Sequence, residues 1–197
     1  MTTILGISGS LRRGSYNSML LTAAAGSLPA DATLEIASIR GIPLYDGDSE
    51  AADGIPPGVR DLKERIAAAD GLLIATPEYN NSIPGVIKNA IDWLSRPPRD
   101  IPRVFGGLPV ALMGATPGRG GTALAQAAWL PILRALGTRP WFGRILHVSG
   151  AADLFDERGL TDEETRSRLA KFVAGFAAFA AESRRPDSEG SPKRPAR

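Results

Sequence analysis

The chain has no cysteine and a single histidine, His147, in 197 residues. The first absence excludes a disulfide scaffold, a thiolate-ligated zinc or iron–sulfur centre and a cysteine nucleophile. The second leaves one candidate for a Ser-His-Asp triad and too little for a His-rich metal site. Long apolar runs are also missing, since none approaches the roughly 18 residues of a membrane span. The opening Met1-Thr2-Thr3-Ile4-Leu5-Gly6 has no basic stretch ahead of a long apolar one, the pattern of a secretory leader. The expectation is a cytoplasmic protein that neither enters a membrane nor holds a metal.

What is present is of ordinary proportions. The length suits one domain able to bury roughly two-thirds or more of its unfolded surface. The net charge of +2 would suggest a nucleic-acid partner until the charges are located. The segment from Ser183 to Arg197 holds +3, through Arg184, Arg185, Lys193, Arg194 and Arg197 against Asp187 and Glu189, and residues 1–182 hold −1. That segment is rich in Pro, Ser and Gly and has no large apolar residue, so it reads as a disordered basic tail, solvated or loosely drawn to polyanions. The body, residues 1–182, carries no basic surplus and no sign of nucleic-acid binding.

Short buried runs alternate with longer amphipathic ones. Strands are expected at Ile4-Leu5-Gly6-Ile7, around Leu34, Ile36 and Ile39, at Leu72-Leu73-Ile74-Ala75, at Val110-Ala111-Leu112-Met113, and within 139–147. Helices are expected from Asn17 to Ala25, from Pro57 to about Ala69 with Val59, Leu62 and Ile66 inward, and from Gly85 to Ser95. A fourth runs from Thr122 to Leu136, where Pro131 should kink or divide it. The last helix opens on a capping box, Thr161 with Glu164, and shows a stripe of Leu169, Phe172, Val173, Phe176 and Phe179. Residues 42–47 read as a loop. Five strands alternating with five helices predict a three-layer α/β domain with a parallel sheet. Its commonest five-stranded order is the flavodoxin-like 2-1-3-4-5, with ligands beyond the carboxyl ends of the strands.

Three such ends are unusually loaded. After the first strand, Gly9-Ser10-Leu11-Arg12-Arg13-Gly14-Ser15-Tyr16-Asn17 leads into a helix. A helix start offers unpaired N–H groups and positive potential, Ser10, Ser15, Asn17 and Ser18 add donors, and Arg12 can pair two phosphate oxygens. A P-loop needs Gly-Lys-Ser/Thr, which the chain lacks. A dinucleotide fingerprint from Gly6 needs glycine where Ser8 and Leu11 stand. A nucleophile elbow at Ser8 needs glycine where Ser10 stands. The segment therefore suits the terminal phosphate of a mononucleotide, or else is a plain turn with a Ser or Asn cap.

After the third strand comes Thr76-Pro77-Glu78-Tyr79-Asn80-Asn81-Ser82-Ile83-Pro84-Gly85. Its prolines fix the direction of amides and carbonyls, as the pyrimidine edge of a flat heteroaromatic such as isoalloxazine requires. After the fourth strand, Gly114-Ala115-Thr116-Pro117-Gly118-Arg119-Gly120-Gly121 can lie against a ring edge, with the Thr116 hydroxyl and a choice for Arg119 between a nucleotide and solvent. In the helix that follows the proline-bounded loop, Trp93 reads as packing, and Lys88 with Asp92 as an ion pair on a solvated face. His147 is most simply structural.

These two motifs, Gly9–Asn17 and Thr76–Asn80 with Ser82–Gly85 and Lys88-Asn89-Ala90-Ile91-Asp92-Trp93, together with Ile42-Pro43-Leu44-Tyr45-Asp46, resemble the NADPH-dependent FMN reductase family over residues 3–182. The resemblance implies a flavodoxin-like fold and non-covalent FMN, with NADPH or NADH as co-substrate. It implies that Ser10, Arg12, Ser15, Tyr16 and Asn17 hold the phosphate and ribityl chain. Pro77, Glu78, Tyr79, Asn80 and Asn81 would line the isoalloxazine, and Thr116 would reach it from the fourth strand. Pro117, Arg119 and Pro131 depart from the family pattern. The implied activity is ping-pong hydride transfer from NAD(P)H through the flavin to a quinone-like, flavin or other small acceptor, with no side chain acting as acid or base. The implied assembly is a homodimer or homotetramer. Two other readings fit the same residues: a flavodoxin-type electron carrier serving protein partners, and a flavin-free scaffold or sensor.

Overall fold

The computed structural model describes residues 1–183. The proposed tail beyond Ser183 lies outside the described residues. Strand β1 (Thr2–Ser8) is buried along almost its whole length, and β3 (Gly71–Ala75) is buried at every position. Near-continuous apolar sequence is what a parallel strand covered on both faces needs. They pair in parallel with each other, β1 pairs with β2 (Ala32–Ala37), and β3 pairs with β4 (Pro109–Ala115). With β5 at Arg139–Pro140, the sheet runs β2-β1-β3-β4-β5, the flavodoxin-like order.

Successive residues on each strand face opposite layers. Leu5, Ile7, Leu72, Ile74 and Val110 meet α3 (Pro57–Ala68), α4 (Gly85–Leu94) and α6 (Ala123–Ala135), through Leu62, Ile66, Ile91 and Trp129. Ile4, Leu73, Ala111 and Met113 meet α1 (Tyr16–Ala25) and α8 (Glu163–Glu182), through Leu20, Leu21, Phe172 and Phe176. Each fully buried side chain of this size contributes roughly 1.5–3 kcal/mol by leaving water. The stripe expected on the last helix is the one that packs.

Several elements differ from the sequence reading. The fifth strand is two fragments, β5 (Arg139–Pro140) and β6 (Leu146–Val148), both pairing with β4. Between them the chain leaves the sheet, and the Trp141 ring packs edge-on against Phe172 at 5.1 Å between centroids. The expected loop at 42–47 leads directly into a short helix, α2 (Gly47–Asp53), capped by the Asp46 side chain. The segment after α4, which holds Pro97, Pro98 and Pro102, contains a 3-10 turn (Pro98–Asp100) and α5 (Ile101–Val104). A short α7 (Ala151–Leu154) and a hairpin of β7 (Phe155–Asp156) and β8 (Gly159–Leu160) precede the last helix.

The cap of α8 is Asp162, whose carboxylate accepts from the Thr165 N–H at 2.8 Å. Thr161 instead donates its hydroxyl to the Leu154 carbonyl and so closes the hairpin. Pro131 lies inside α6 without dividing it.

Candidate functional site

The carboxyl ends of β1, β3 and β4 are tied to one another. Gly9 N–H bonds the Ala75 carbonyl at 2.8 Å, and Thr76 N–H bonds the Met113 carbonyl at 2.8 Å. Thr116 N–H bonds the Val148 carbonyl of β6 at 3.0 Å. Asn17, on the first turn of α1, crosses to β4 with both ends of its carboxamide: Nδ2 donates to the Ala115 carbonyl and Oδ1 accepts from the Ala115 N–H, each at 2.9 Å. Two glycines permit this closeness. A side chain at position 9 would come within 2.8 Å of the Pro77 ring, and one at position 114 would overlap Thr122 Oγ1 and the Thr76 carbonyl.

These ends surround a cavity of about 220 Å³. Ser10, Arg12, Ser15, Tyr16, Asn17, Pro77, Glu78, Tyr79 and Thr116 all line it, joined by Ala115 and Pro117. Three loops far apart in sequence thus converge on one place. Asn80 and Asn81 do not line this cavity. They are the central pair of a tight turn, both at positive φ (50° and 59°), closed by reciprocal Tyr79 and Ser82 backbone bonds at 3.1 and 3.0 Å. Asparagine tolerates that conformation better than most residues, so the pair shapes the loop that presents Tyr79.

At the α1 end, Ser15 caps the helix and accepts from the Ser18 N–H at 3.3 Å. The first intrahelical bond runs from Met19 N–H to the Ser15 carbonyl, so the N–H groups of Tyr16 and Asn17 precede the ladder. Ser10 Oγ accepts from the Arg12 N–H at 3.3 Å, leaving its hydroxyl hydrogen to donate outward. The exposed Arg12 guanidinium makes no ion pair among the described residues.

At the opposite end, Pro77 is buried, and Tyr79, 44% exposed, forms a rim. Glu78 is tied to α6: its Oε2 accepts from the Ala125 N–H at 3.0 Å, in the first turn of that helix, where a carboxylate suits the helix dipole. Thr76 Oγ1 donates to the Pro77 carbonyl at 2.9 Å and accepts from Trp129 Nε1 at 3.3 Å, bracing the loop from below. Thr116 Oγ1 accepts from the Gly118 N–H at 3.3 Å. Arg119 is exposed and does not line the cavity.

Sequence reasoning passed over Ala115, whose contribution is entirely backbone and leaves no residue-type signal. It also left the 42–46 loop without a mechanism. Asn89 and Trp93 on α4 both donate to the Pro43 carbonyl, at 2.8 and 2.9 Å, and Asn89 Oδ1 accepts from the Tyr45 N–H at 2.8 Å. Trp93 is therefore a buried structural side chain, and Lys88 pairs with Asp92 at 2.6 Å as expected. His147, on β6, is half-buried, and burial holds its pKa below the ordinary value, with Arg168 adding to the effect and Glu78 opposing it. Among the described residues no group of three metal-ligating side chains forms, and no helix is long and apolar enough to cross a membrane.

Comparison with known proteins agrees with this geometry. The chain is 49% identical over 167 residues to an NAD(P)H-dependent FMN reductase of Pseudomonas aeruginosa, covering 84% of this chain and 88% of the relative. It is 39% identical over 177 residues to a 2-hydroxy-1,4-benzoquinone reductase of a Burkholderia species, covering 89% and 94%. The solved structure of a flavoenzyme NAD(P)H:(acceptor) oxidoreductase of Paracoccus denitrificans superimposes with a TM-score of 0.83 at 34% identity, over 93% of this chain and all of that one. Residues 2–153 match the profile of the NADPH-dependent FMN reductases, and the chain belongs to that family.

Proposed function

We propose that this chain holds FMN without a covalent bond and passes two electrons from NAD(P)H to quinone-like, flavin or other small acceptors, nucleotide and acceptor using the same face in turn. The observation that carries the reading is the convergence of three loop ends on one cavity with donors at one end and stiff apolar walls at the other. The residues fit the cofactor. The N–H groups opening α1, the Ser10 and Ser15 hydroxyls and the Arg12 guanidinium suit a phosphate dianion. Pro77, Tyr79 and the backbone from Pro77 to Tyr79 suit a flat ring with a polar edge, with Thr116 on the same cavity. When bound, FMN supplies the two-electron carrier.

The protein's own share is positioning. Asn17, through Ala115, sets the separation of the two halves of the site, and Glu78 is committed to α6. No side chain is required as acid or base, which agrees with a cavity without His or Cys. We read residues 1–182 as the FMN-binding unit, acting in the cytoplasm as a homodimer or homotetramer. Exposed Leu130, Phe142 and Ile145, which line one concavity, support self-association.

Arg12→Ala tests the phosphate end. Loss of one charge-assisted contact should weaken FMN binding roughly 10- to 100-fold in a fluorescence titration. The rate at which NADPH reduces the flavin that remains bound should change far less. FMN affinity equal to wild type would remove Arg12 from the site.

A further inference from the structure

A second cavity, of about 240 Å³, opens on the other side of the β1–α1 loop, between the carboxyl ends of β1 and β2. It shares only Ser10 and Arg12 with the first, so that loop is a partition between the two. Its far wall is the segment just after β2, where Ser38 and Arg40 face the partition. The floor is the pair Ser8 and Ser18, whose hydroxyls share a hydrogen bond at 2.9 Å.

The charge here is one-sided. No acidic side chain lines the cavity, and neither Arg12 nor Arg40 has an ion-pair partner among the described residues. One Arg40 nitrogen donates to the Leu11 carbonyl, which tethers the guanidinium over the opening and leaves its other N–H groups to bind elsewhere. Ser38 Oγ accepts from the Arg40 N–H at 3.1 Å, and Ser10 Oγ accepts from the Arg12 N–H, so both hydroxyl hydrogens remain to donate. With Ser10 and Arg12 given to the flavin phosphate, the Arg40 guanidinium and the Ser38 hydroxyl are the donors that remain for a second phosphomonoester in this concavity.

We propose that this cavity takes the 2′-phosphate of NADPH, with Arg40 and Ser38 as the residues that favour NADPH over NADH. The proposal rests on the functional reading above, which places the flavin phosphate on the other side of the Ser10–Arg12 partition. A phosphomonoester here must then come from a second ligand. Of the two pyridine nucleotides only NADPH carries one, at the adenosine end remote from the reacting ring. Arg40 and Ser38 touch the second cavity alone, which separates their role from flavin retention.

The test compares wild type with Arg40→Gln and Ser38→Ala, both exposed positions. On FMN-loaded enzyme, Arg40→Gln should raise KM for NADPH roughly tenfold, while KM for NADH, kcat and the FMN dissociation constant stay at wild-type values. Ser38→Ala should act in the same direction by less. Independently of turnover, 2′-AMP should bind the apoprotein by calorimetry, bind roughly tenfold more weakly to Arg40→Gln, and outcompete both 5′-AMP and inorganic phosphate. Equal losses for both nucleotides, or 2′-AMP binding no better than inorganic phosphate, would overturn the assignment. A fall in FMN affinity in Arg40→Gln would overturn it too, giving the cavity to the flavin. Wild type that oxidises neither nucleotide would refute the functional reading, while the calorimetry would still decide the cavity.

Discussion

Asn17 spends both ends of its carboxamide on one backbone unit, Ala115, and it is only 3% exposed. Asn17→Ala leaves a buried N–H and a buried C=O unpaired, a loss of about 2 kcal/mol. Urea unfolding of the apoprotein should show it, and FMN affinity should fall with it because α1 and β4 drift apart. Unchanged stability would mean that water replaces the side chain. The asparagine was legible in the sequence as part of a cofactor motif, but its hold on β4 was not, since nothing in residue order links position 17 to position 115. Asn80 and Asn81, which the family motif puts with the ligand, stand outside the cavity in a turn that their positive φ shapes. The two adjacent asparagines were themselves the available signal for that turn.

His147 gives the residue scale a pH dependence. Burial and Arg168 lower its pKa in the folded protein, whereas the unfolded ring titrates at about 6.5. The unfolded chain therefore takes up the proton first as pH falls. This group's contribution to stability is complete above about pH 6.5 and is lost as pH drops through the lower folded value. His147→Gln should make the urea midpoint fall less than wild type between about pH 7.5 and about pH 5. Identical slopes would show that the ring is solvated in the folded state.

Among the elements, α6 is where local sequence and structure disagree most. Pro131 predicts a kink or a break, and the break is absent: one helix runs from Ala123 to Ala135. Trp129, Leu133 and Ala125 are buried on its inner face while Pro131 is exposed, so packing holds the helix together across the missing N–H. Pro131→Ala restores a donor to the Ala127 carbonyl. Against roughly 3 kcal/mol for proline inside a helix stands about 0.4–1 kcal/mol of unfolded-state entropy, so the variant should be more stable by ~2 kcal/mol. A lower melting temperature would mean that the ring itself packs. The one-residue shift of the α8 cap has an equally local cause: Asp162 and Thr161 are both good caps, and the hairpin's demand for a donor to Leu154 takes the threonine.

For the whole molecule, the alternation of buried runs with amphipathic ones carried the sheet order, because parallel strands covered on both faces leave few topologies. It could not show that the fifth strand breaks. The Trp141 ring packs on Phe172 and Phe176 of α8, which lie far along the chain, while its N–H still bonds the Val110 carbonyl of β4 at 2.8 Å, so the sheet breaks only beyond it. The missing cysteines and near-missing histidines limit the chemistry open to side chains, and neither residue type lines the cavity.

The central claim is that these residues hold an FMN that pyridine nucleotide reduces directly. Anaerobic stopped-flow mixing of the FMN-loaded protein with NADPH, followed by a quinone, tests it. Flavin absorbance should bleach within one turnover, with oxidised nucleotide leaving before the quinone is added, and should return when the quinone enters. A flavin that neither NADPH nor NADH bleaches at a useful rate, or a protein that takes up no FMN, would contradict the account.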